Sequence, residues 1–200
     1  CANETVHGLE IHDPIETSSP VICDMSSTIA SRPIDVNKYD LIFAGAQKNL
    51  GIAGVTIVIV KNKLLSGVNT ELLPMFNYSA HANEASMLNT SPVFSWYVSG
   101  LVFDWIHEQG GVEEMARMNK LKSDLLYDYI DQSEFYNNPV SKLYRSWMNI
   151  PFTLYRDDLD DKFLTSAEEL GLLNLKGHRT VGGMRASVYN AMPIEGIKKL

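Results

Sequence analysis

Three short apolar runs dominate the hydrophobic pattern of the first sixty residues, and each predicts a strand. They cover residues 21–23, 41–44 and 54–60. Consecutive apolar positions, rather than alternating ones, are typical of strands that are buried on both faces of a sheet. The third run is also rich in β-branched residues, which favour extended backbone. Residues 62–65 are expected to form one helical turn after it.

A different period begins after residue 92 and predicts two long helices. Apolar residues and one glycine, which would share one face of a helix, recur there at steps of three and four. They are Val93, Trp96, Tyr97, Gly100, Leu101 and Trp105. Ser91 is expected to cap this helix, with Pro92 at its first position, and the glycines at 110–111 to end it. A second helix is expected over about 112–130, whereas residues 66–92 are expected to be mostly loop.

The remainder of the chain alternates between short extended and helical segments. Strands are predicted at residues 147–155, 172–175 and 182–189, and helices at residues 159–170 and from residue 193 onward. Strands and helices in alternation predict an α/β fold, with a small α/β unit in this part of the chain. We place the domain boundary inside the helical connection, which gives domains of residues 1–112 and 113–200.

The composition of the chain excludes some functional classes but does not identify its function. The chain has 200 residues, 45% of them apolar, with 17 Lys and Arg against 24 Asp and Glu. The resulting net charge of −7 argues against a general nucleic-acid binder, because an acidic surface repels phosphate. No apolar run approaches the roughly 20 residues of a membrane span, and no secretory signal is visible. Two cysteines are too few for a disulfide framework, so a cytoplasmic setting is expected.

Both ends of the chain have the pattern of an interrupted sequence. The first residue is Cys1 rather than Met, and the helix that begins at Pro193 stops at Leu200 with no capping residue. We therefore expect this chain to be part of a longer one.

An acid and a lysine follow two neighbouring predicted strands. Asp24 comes directly after the first strand, and Lys48 follows the second by a few residues. Ligands of open α/β sheets lie beyond the carboxyl ends of the strands, so these two side chains are expected to face one site. A lysine among small neighbours such as Gly45 and Gly51 can be desolvated, and the lower pKa that results makes its amine a nucleophile. A surface lysine and a turn-capping aspartate are the alternative interpretation of the same spacing.

Two further clusters hold polar residues that could bind anions. His178 and Arg179 precede a glycine pair that Arg185 follows, and arginine binds carboxylate or phosphate with two parallel hydrogen bonds. A basic surface hairpin explains this cluster equally well. Asn89 and Thr90 precede the long helix, where a role in capping is sufficient.

Other motifs are excluded by their spacing. Lys48 is not preceded by glycine, as a phosphate-binding loop of the form G-x-x-x-x-G-K-[ST] requires. The histidines have no spacing typical of metal ligands, so no metal site is predicted. The G-x-S-x-G elbow of the α/β-hydrolases is also absent from the sequence.

Taken together, these residues resemble the phosphoserine aminotransferase family, which are fold-type I enzymes dependent on pyridoxal phosphate. The resemblance runs in the family's order along nearly the whole chain. The segments that carry it are residues 3–5, 24–27, 31–36, 44–49, 89–90, 177–179 and 182–193. It implies transfer of an amino group between glutamate and 3-phosphohydroxypyruvate, in serine biosynthesis. Whether a second phosphorylated substrate in pyridoxine biosynthesis is also used is left open by the sequence.

The resemblance also implies which residues hold the cofactor. Lys48 would form the Schiff base with the cofactor aldehyde, and Asp24 would pair with the pyridine nitrogen. Thr5 would hydrogen-bond the ring near its phenolic oxygen, and Gln47 would contact the phosphate. A protonated pyridine nitrogen makes the ring a good acceptor of the electron pair that is left when the substrate Cα–H bond breaks.

Substrate binding and assembly are implied in the same way. Arg185 would bind the substrate α-carboxylate, and His178 with Arg179 would hold the far anionic end. Asn89 and Thr90 would reach the cofactor phosphate of a neighbouring subunit, so the active enzyme would be a homodimer with shared sites.

One part of the family pattern is missing from this chain. The family has an upstream segment with a glycine-containing phosphate cup, an aromatic residue that stacks on the ring, and further basic residues. The resemblance therefore implies that the chain is the C-terminal portion. It would contain the end of a large cofactor domain with a mixed, mainly parallel sheet, and most of a smaller α/β domain. Another fold-type I enzyme, such as a desulfurase, and a non-catalytic fragment are the alternatives. Cys23, within a predicted strand, is a poor candidate for the mobile cysteine that a desulfurase needs.

Overall fold

The computed structural model describes residues 1–66 and 72–200 and has an α/β fold. The strands are β1 (Asn3–Glu4), β2 (Leu9–Glu10), β3 (Ile22–Asp24), β4 (Leu41–Gly45), β5 (Thr56–Val60), β6 (Tyr136–Asn137), β7 (Asn149–Leu154) and β8 (Met184–Ser187). The α-helices are α1 (Tyr78–Asn83), α2 (Val93–Glu108), α3 (Gly111–Gln132), α4 (Asp160–Glu169) and α5 (Ile194–Lys199). Short 3₁₀ turns are Val36–Lys38, Asn62–Leu64, Pro74–Phe76, Lys142–Tyr144 and Asp157–Leu159.

The first sheet contains the three strands that the apolar runs predict, in the order β3-β4-β5. Strand β3 is parallel to β4, with Asp24 opposite Phe43, and β5 is antiparallel to β4. The expectation that all three strands are buried on both faces is wrong. Ile22 is 61% exposed and Ile59 is 40% exposed, and their strands, β3 and β5, are the outer strands of the described sheet. Strand β4 alone is largely buried.

The segment expected to be loop contains a short helix. Asn77 accepts hydrogen bonds from the backbone N–H groups of Ser79 (2.9 Å) and Ala80 (3.2 Å), so it caps α1 rather than breaking the chain. The prediction of loop over 66–92 is therefore wrong for residues 78–83. Residues 67–71 lie outside the described part of the chain.

Helix α2 has the predicted length but not the predicted cap or buried face. Pro92 is the capping residue, Ser91 lies before it, and no side chain caps the helix. Its buried residues are Ser95, Ser99 and Ile106, whereas Val93 and most of its aromatic residues are exposed. Small side chains face inward because the loop after Lys48 passes close to the helix. A Cβ atom on Gly51 would lie 2.9 Å from Ser99 Oγ.

The second sheet is antiparallel throughout, in the order β6-β7-β8. It packs with α3, α4 and α5 around a core that includes Ile150, Phe152, Met184 and Ile197. The predicted strands at 147–155 and 182–189 and the helix at 159–170 are confirmed as β7, β8 and α4.

The predicted strand at residues 172–175 is wrong. This segment makes too few ladder contacts for a strand: Leu175 accepts a hydrogen bond from Arg185 N (2.7 Å), and Lys176 forms one isolated bridge with Met184. Strand β6 was not predicted, because its two residues are too short to show a period.

The β1–β2 hairpin joins the two sheets. Ala2 N donates to Asp24 O (3.0 Å) beside the first sheet, and Ser146 N donates to Gly8 O (3.0 Å) near the second. Gly8 has a φ of +70°, and a Cβ atom there would lie 2.7 Å from the carbonyl oxygen of Asn149. The hairpin turn, which carries Thr5, is therefore held between the two sheets. Helix α3 begins at the proposed boundary between residues 1–112 and 113–200.

No helix among residues 1–66 and 72–200 has both the length and the apolar character needed to cross a membrane.

Candidate active site

Asp24 and the end of β4 are tied together at one edge of the first sheet. Because β3 and β4 are parallel, their carboxyl ends meet there. Asp24 Oδ1 accepts a hydrogen bond from Ser26 N (2.8 Å), and Ser26 Oγ accepts one from Gly45 N (3.0 Å). This pair of bonds fixes the turn after Asp24 against the strand end that leads to Lys48.

Lys48 lies on a tight turn whose other residues are packed inward. Ala46, Asn49 and Leu50 are buried, and Leu50 N donates to Ala46 O (3.0 Å). Lys48 itself is half-buried, and this burial lowers the pKa of its amine. The negative charges of Asp24 and Glu4 act on the amine in the opposite direction. A larger neutral fraction makes the amine a better nucleophile.

Arg185 approaches the same region from β8. Its charge further lowers the pKa of Lys48, and its Nη1 donates to the backbone oxygen of Thr5 (3.0 Å). Its Nε is buried and has no hydrogen-bond partner in the described part of the chain. A buried guanidinium N–H without a partner is costly, so this donor is available to an anionic ligand. The charges of Asp24 and Arg185 thus both act on Lys48, and Arg185 is bonded to the backbone of Thr5.

Four of the predicted site residues lie on two other loops of the chain. Asn89 and Thr90 are exposed, and Asn89 Nδ2 donates to Thr90 O (3.0 Å). Arg179 is exposed, and His178 Nδ1 lies 2.7 Å from Thr180 Oγ1. None of the four has a hydrogen bond to Lys48 or Asp24 within residues 1–66 and 72–200. Their predicted roles involve a partner subunit or the far end of a substrate, and they stay predictions.

Gln47 is exposed but folds back over its own strand end. A Cβ atom on Gly45 would lie 3.1 Å from Gln47 Nε2, so the absence of a side chain at Gly45 leaves room for it. This places the amide beside the Lys48 turn, and its predicted contact with a phosphate stays a prediction.

Sequence reasoning missed residues that support the cluster. Glu4 accepts hydrogen bonds from the backbone N–H groups of Val6 (2.9 Å) and His7 (2.6 Å) and carries a charge that acts on Lys48. Asn3 is buried, and its Nδ2 donates to Ser27 Oγ (2.9 Å). Their position next to Thr5 was the available signal. Nothing in the local pattern distinguishes them from ordinary turn residues.

The comparison with known families decides the class of the protein. A sequence model of the family described as aminotransferase class-V matches residues 9–200. The chain belongs to the aminotransferase class-V family. Within the described ranges, no group of three His, Cys, Asp or Glu side chains is arranged to hold a metal ion.

Relatives of this class-V chain have a consistent name. The phosphoserine aminotransferase of Hahella chejuensis is 54% identical over 199 residues, which cover 99% of this chain and 55% of the relative. The solved phosphoserine aminotransferase of Bacillus circulans subsp. alkalophilus superposes with a TM-score of 0.94 at 45% identity, over 98% of this chain and 55% of that one. The PLP-bound phosphoserine aminotransferase of Trichomonas vaginalis gives a TM-score of 0.93 at 38% identity, over 100% and 57%. The chain thus spans about half the length of the curated relatives it matches.

Proposed function

We propose that the full-length protein is a phosphoserine aminotransferase. It would transfer the amino group between glutamate and 3-phosphohydroxypyruvate, giving O-phosphoserine and 2-oxoglutarate. The observation that carries the proposal is the half-buried amine of Lys48, whose pKa burial lowers, with Asp24 and Arg185 close enough for their charges to act on it. The 54% identity to a relative of that name supports the choice of substrates.

The donor set fits pyridoxal phosphate. The cofactor supplies an aldehyde that an amine can attack and a ring that accepts the electron pair released from substrate Cα. Lys48 provides the amine, and Asp24 provides a carboxylate whose negative charge would stabilise a protonated pyridine nitrogen. The Nε of Arg185 is a buried donor with no partner among the described residues, which fits a site where a bound anion accepts its hydrogen bond.

Three side chains would act on the bound substrate. Arg185 would orient it by binding the α-carboxylate through its guanidinium. Lys48 Nζ would take the proton from substrate Cα as a general base and hold it for return as an acid, a role that requires the neutral amine. The burial that lowers the pKa of Lys48 favours that neutral form. Asp24 would pair with the ring nitrogen and help to keep a proton there.

Residues on several loops would contact the cofactor and the anionic groups of the substrates. Thr5 would contact the ring near its phenolic oxygen, and Gln47 the cofactor phosphate. His178 and Arg179 would hold the far anionic end of glutamate or of the phosphorylated substrate. Both substrates carry two anionic ends, so a single pair of cationic groups would accept either.

A homodimer with shared sites is part of the proposal. Asn89 and Thr90 would reach the partner's cofactor phosphate. An exposed apolar face of α2 follows them; since the chain spans about half the length of its relatives, this face is available either to the rest of the protein or to a partner subunit. The apolar residues of this face, each at least 45% exposed, are Val93, Phe94, Trp96, Tyr97, Leu101 and Phe103. Light scattering on the full-length protein should give twice the protomer mass.

The place of the enzyme in the cell follows from its reaction. We infer a cytoplasmic role in serine biosynthesis, with pyridoxine biosynthesis as a second pathway for a related phosphorylated substrate. Cys1 and Cys23 are both free thiols, which fits a reducing compartment.

Two experiments on the full-length protein test the proposal. Borohydride reduction of the protein with bound cofactor should leave the cofactor on the peptide that contains Lys48. The absorbance of the bound cofactor should then respond to phosphoserine and not to alanine or cysteine. A response to cysteine or alanine alone would assign the chain to another fold-type I activity, and no reducible adduct would indicate a non-catalytic protein.

A further inference from the structure

Three consecutive backbone carbonyls in the turn region after Asp24 each accept a hydrogen bond from a different asparagine. The carbonyls belong to residues 29–31. They accept in order from Nδ2 of Asn49 (3.1 Å), Asn190 (2.9 Å) and Asn119 (2.9 Å). All three asparagines are buried, with exposures of 4%, 8% and 1%. We refer to Asn49, Asn119 and Asn190 as the asparagine comb.

Two members of the comb come from segments that carry a site residue. Asn49 directly follows Lys48. Asn190 lies just beyond β8, the strand of Arg185, and Asn119 is in α3. The carbonyls that they bind follow Asp24 on the same segment. The comb therefore connects the segments that carry Lys48 and Arg185 to the stretch of backbone that follows Asp24.

The members of the comb are also bonded to one another. Asn190 N donates to Asn49 Oδ1 (3.1 Å), and Asn119 Nδ2 donates to Asn190 Oδ1 (2.8 Å). From the same face of α3, Lys122 Nζ donates to the carbonyls of Val188 (3.1 Å), Tyr189 (2.9 Å) and Met192 (3.0 Å). The turn of Asn190 is thus held from two sides.

The backbone at the centre of the comb is in a conformation that needs support. Ala30 has a φ of +56°, which L-residues with a Cβ atom rarely adopt. Its carbonyl is the one that Asn190 binds. Loss of a comb bond would leave a buried carbonyl without a partner and would release this segment to a more ordinary conformation.

We propose that the asparagine comb is a positioning device that holds Asp24, Lys48 and Arg185 in fixed mutual positions, with Asn49 as the member that acts on Lys48. This inference rests on the proposed function for its meaning in catalysis. The comb residues are not catalytic, because their side chains bond to backbone and to one another rather than to Lys48, Asp24 or Arg185.

The test uses the full-length protein with Asn49→Ala and Asn119→Ala, and Tyr127→Phe as the matched control. Tyr127 is also in α3 and buried, and its hydroxyl donates to Ser146 O (2.9 Å), so the control removes one buried hydrogen bond outside the comb. The first measurement is the pKa of the Lys48 amine in the cofactor-free protein, obtained from the pH dependence of its acetylation by mass spectrometry. The second is the affinity of the protein for pyridoxal phosphate.

Asn49→Ala should move the pKa of Lys48 upward by about half a pH unit, because a looser turn admits water to the amine. It should weaken cofactor binding about tenfold, as expected for one buried hydrogen bond. Asn119→Ala should have a smaller effect in the same direction, and it serves if Asn49→Ala does not fold. Tyr127→Phe should leave both readouts unchanged.

Comb variants that match Tyr127→Phe in both readouts would overturn the inference. Failure of the proposed function looks different, because the unsubstituted protein would then bind no cofactor at Lys48. The pKa of Lys48 in the cofactor-free protein would still report on the comb in that case.

Discussion

Lys48 is the residue on which the proposed chemistry depends. Replacing it with alanine removes both the nucleophile and the proton carrier, and we expect the turnover of the full-length enzyme to fall by about 10⁴-fold or more. Steady-state transamination and the borohydride adduct measure the loss. Lys63→Ala is the matched control, since Lys63 is an exposed lysine that pairs with Asp40 at 2.6 Å. A reducible adduct that survives Lys48→Ala would contradict the assignment.

Asp24 contributes through its charge rather than its shape. A carboxylate about 4 Å from a cation stabilises it by roughly 4 kcal/mol before desolvation at an effective dielectric near 20. Asp24→Asn keeps the size and removes the charge, so turnover should fall about 100-fold or more while the fold persists.

The control for Asp24→Asn is Asp35→Asn. Asp35 also accepts a backbone hydrogen bond, from Asn37 N (3.1 Å), but caps an exposed turn. Thermal unfolding separates the two possible effects. Equal turnover in the two variants would remove Asp24 from the site.

At the scale of elements, helix α2 fixes the loop after Lys48 by its small inward side chains. Ser95 Oγ donates to Ala53 O (2.9 Å), and Ser99 packs against Gly51. Ser99 Oγ has no hydrogen-bond partner among the described residues, so Ser99→Ala should change the free energy of unfolding by less than about 1 kcal/mol.

Ser99→Leu should instead destabilise the protein by about 1–3 kcal/mol, because added atoms have no room against Gly51. Urea unfolding of the full-length protein measures both variants. If leucine were tolerated as well as alanine, the close approach of α2 to the Lys48 loop would not be a constraint on the fold.

The elements that the sequence predicted well are those with a clear period or run. Strands β3, β4 and β5 follow from apolar runs, and α2 follows from its repeat. Helix α1 has six residues, too few to show a period. The apolar run at 172–175 looked like a strand but remains a loop, because periodicity alone does not say whether a neighbour is available for pairing.

The candidate site could be predicted in part for a physical reason. Asp24 and Lys48 follow strands that the topology places side by side, so strand-end reasoning brought them together. The asparagine comb was beyond such reasoning. Its bonds join side chains to main-chain carbonyls 20, 88 and 160 residues away, and an asparagine that binds backbone has no sequence motif.

At the scale of the whole molecule, Lys122 makes the free energy of unfolding depend on pH in the alkaline range. Burial lowers the pKa of this lysine from 10.5 to about 8. Between these two values the unfolded chain binds more protons than the folded one, so the free energy of unfolding rises with pH. We expect a rise of about 1 to 3 kcal/mol, with the lower end set by the three carbonyls that favour the charged amine.

Lys122→Met isolates this contribution, since methionine has similar length and no charge. The stability difference between the unsubstituted full-length protein and the variant should shift in favour of the unsubstituted protein as pH rises from about 8 to about 10.5. Chemical unfolding at several pH values measures it. A difference that is flat over this range would mean that Lys122 holds its proton in both states.

The comb also determines where substitutions can accumulate as such a protein diverges. Since the acceptors at residues 29–31 are main-chain oxygens, present in every amino acid, those positions can change identity without losing the bonds. The donors have no such freedom. Among descendants of a common ancestor, positions 49, 119 and 190 should keep their amides as a set, whereas the hydrogen bonds place no such requirement on the side chains at positions 29–31.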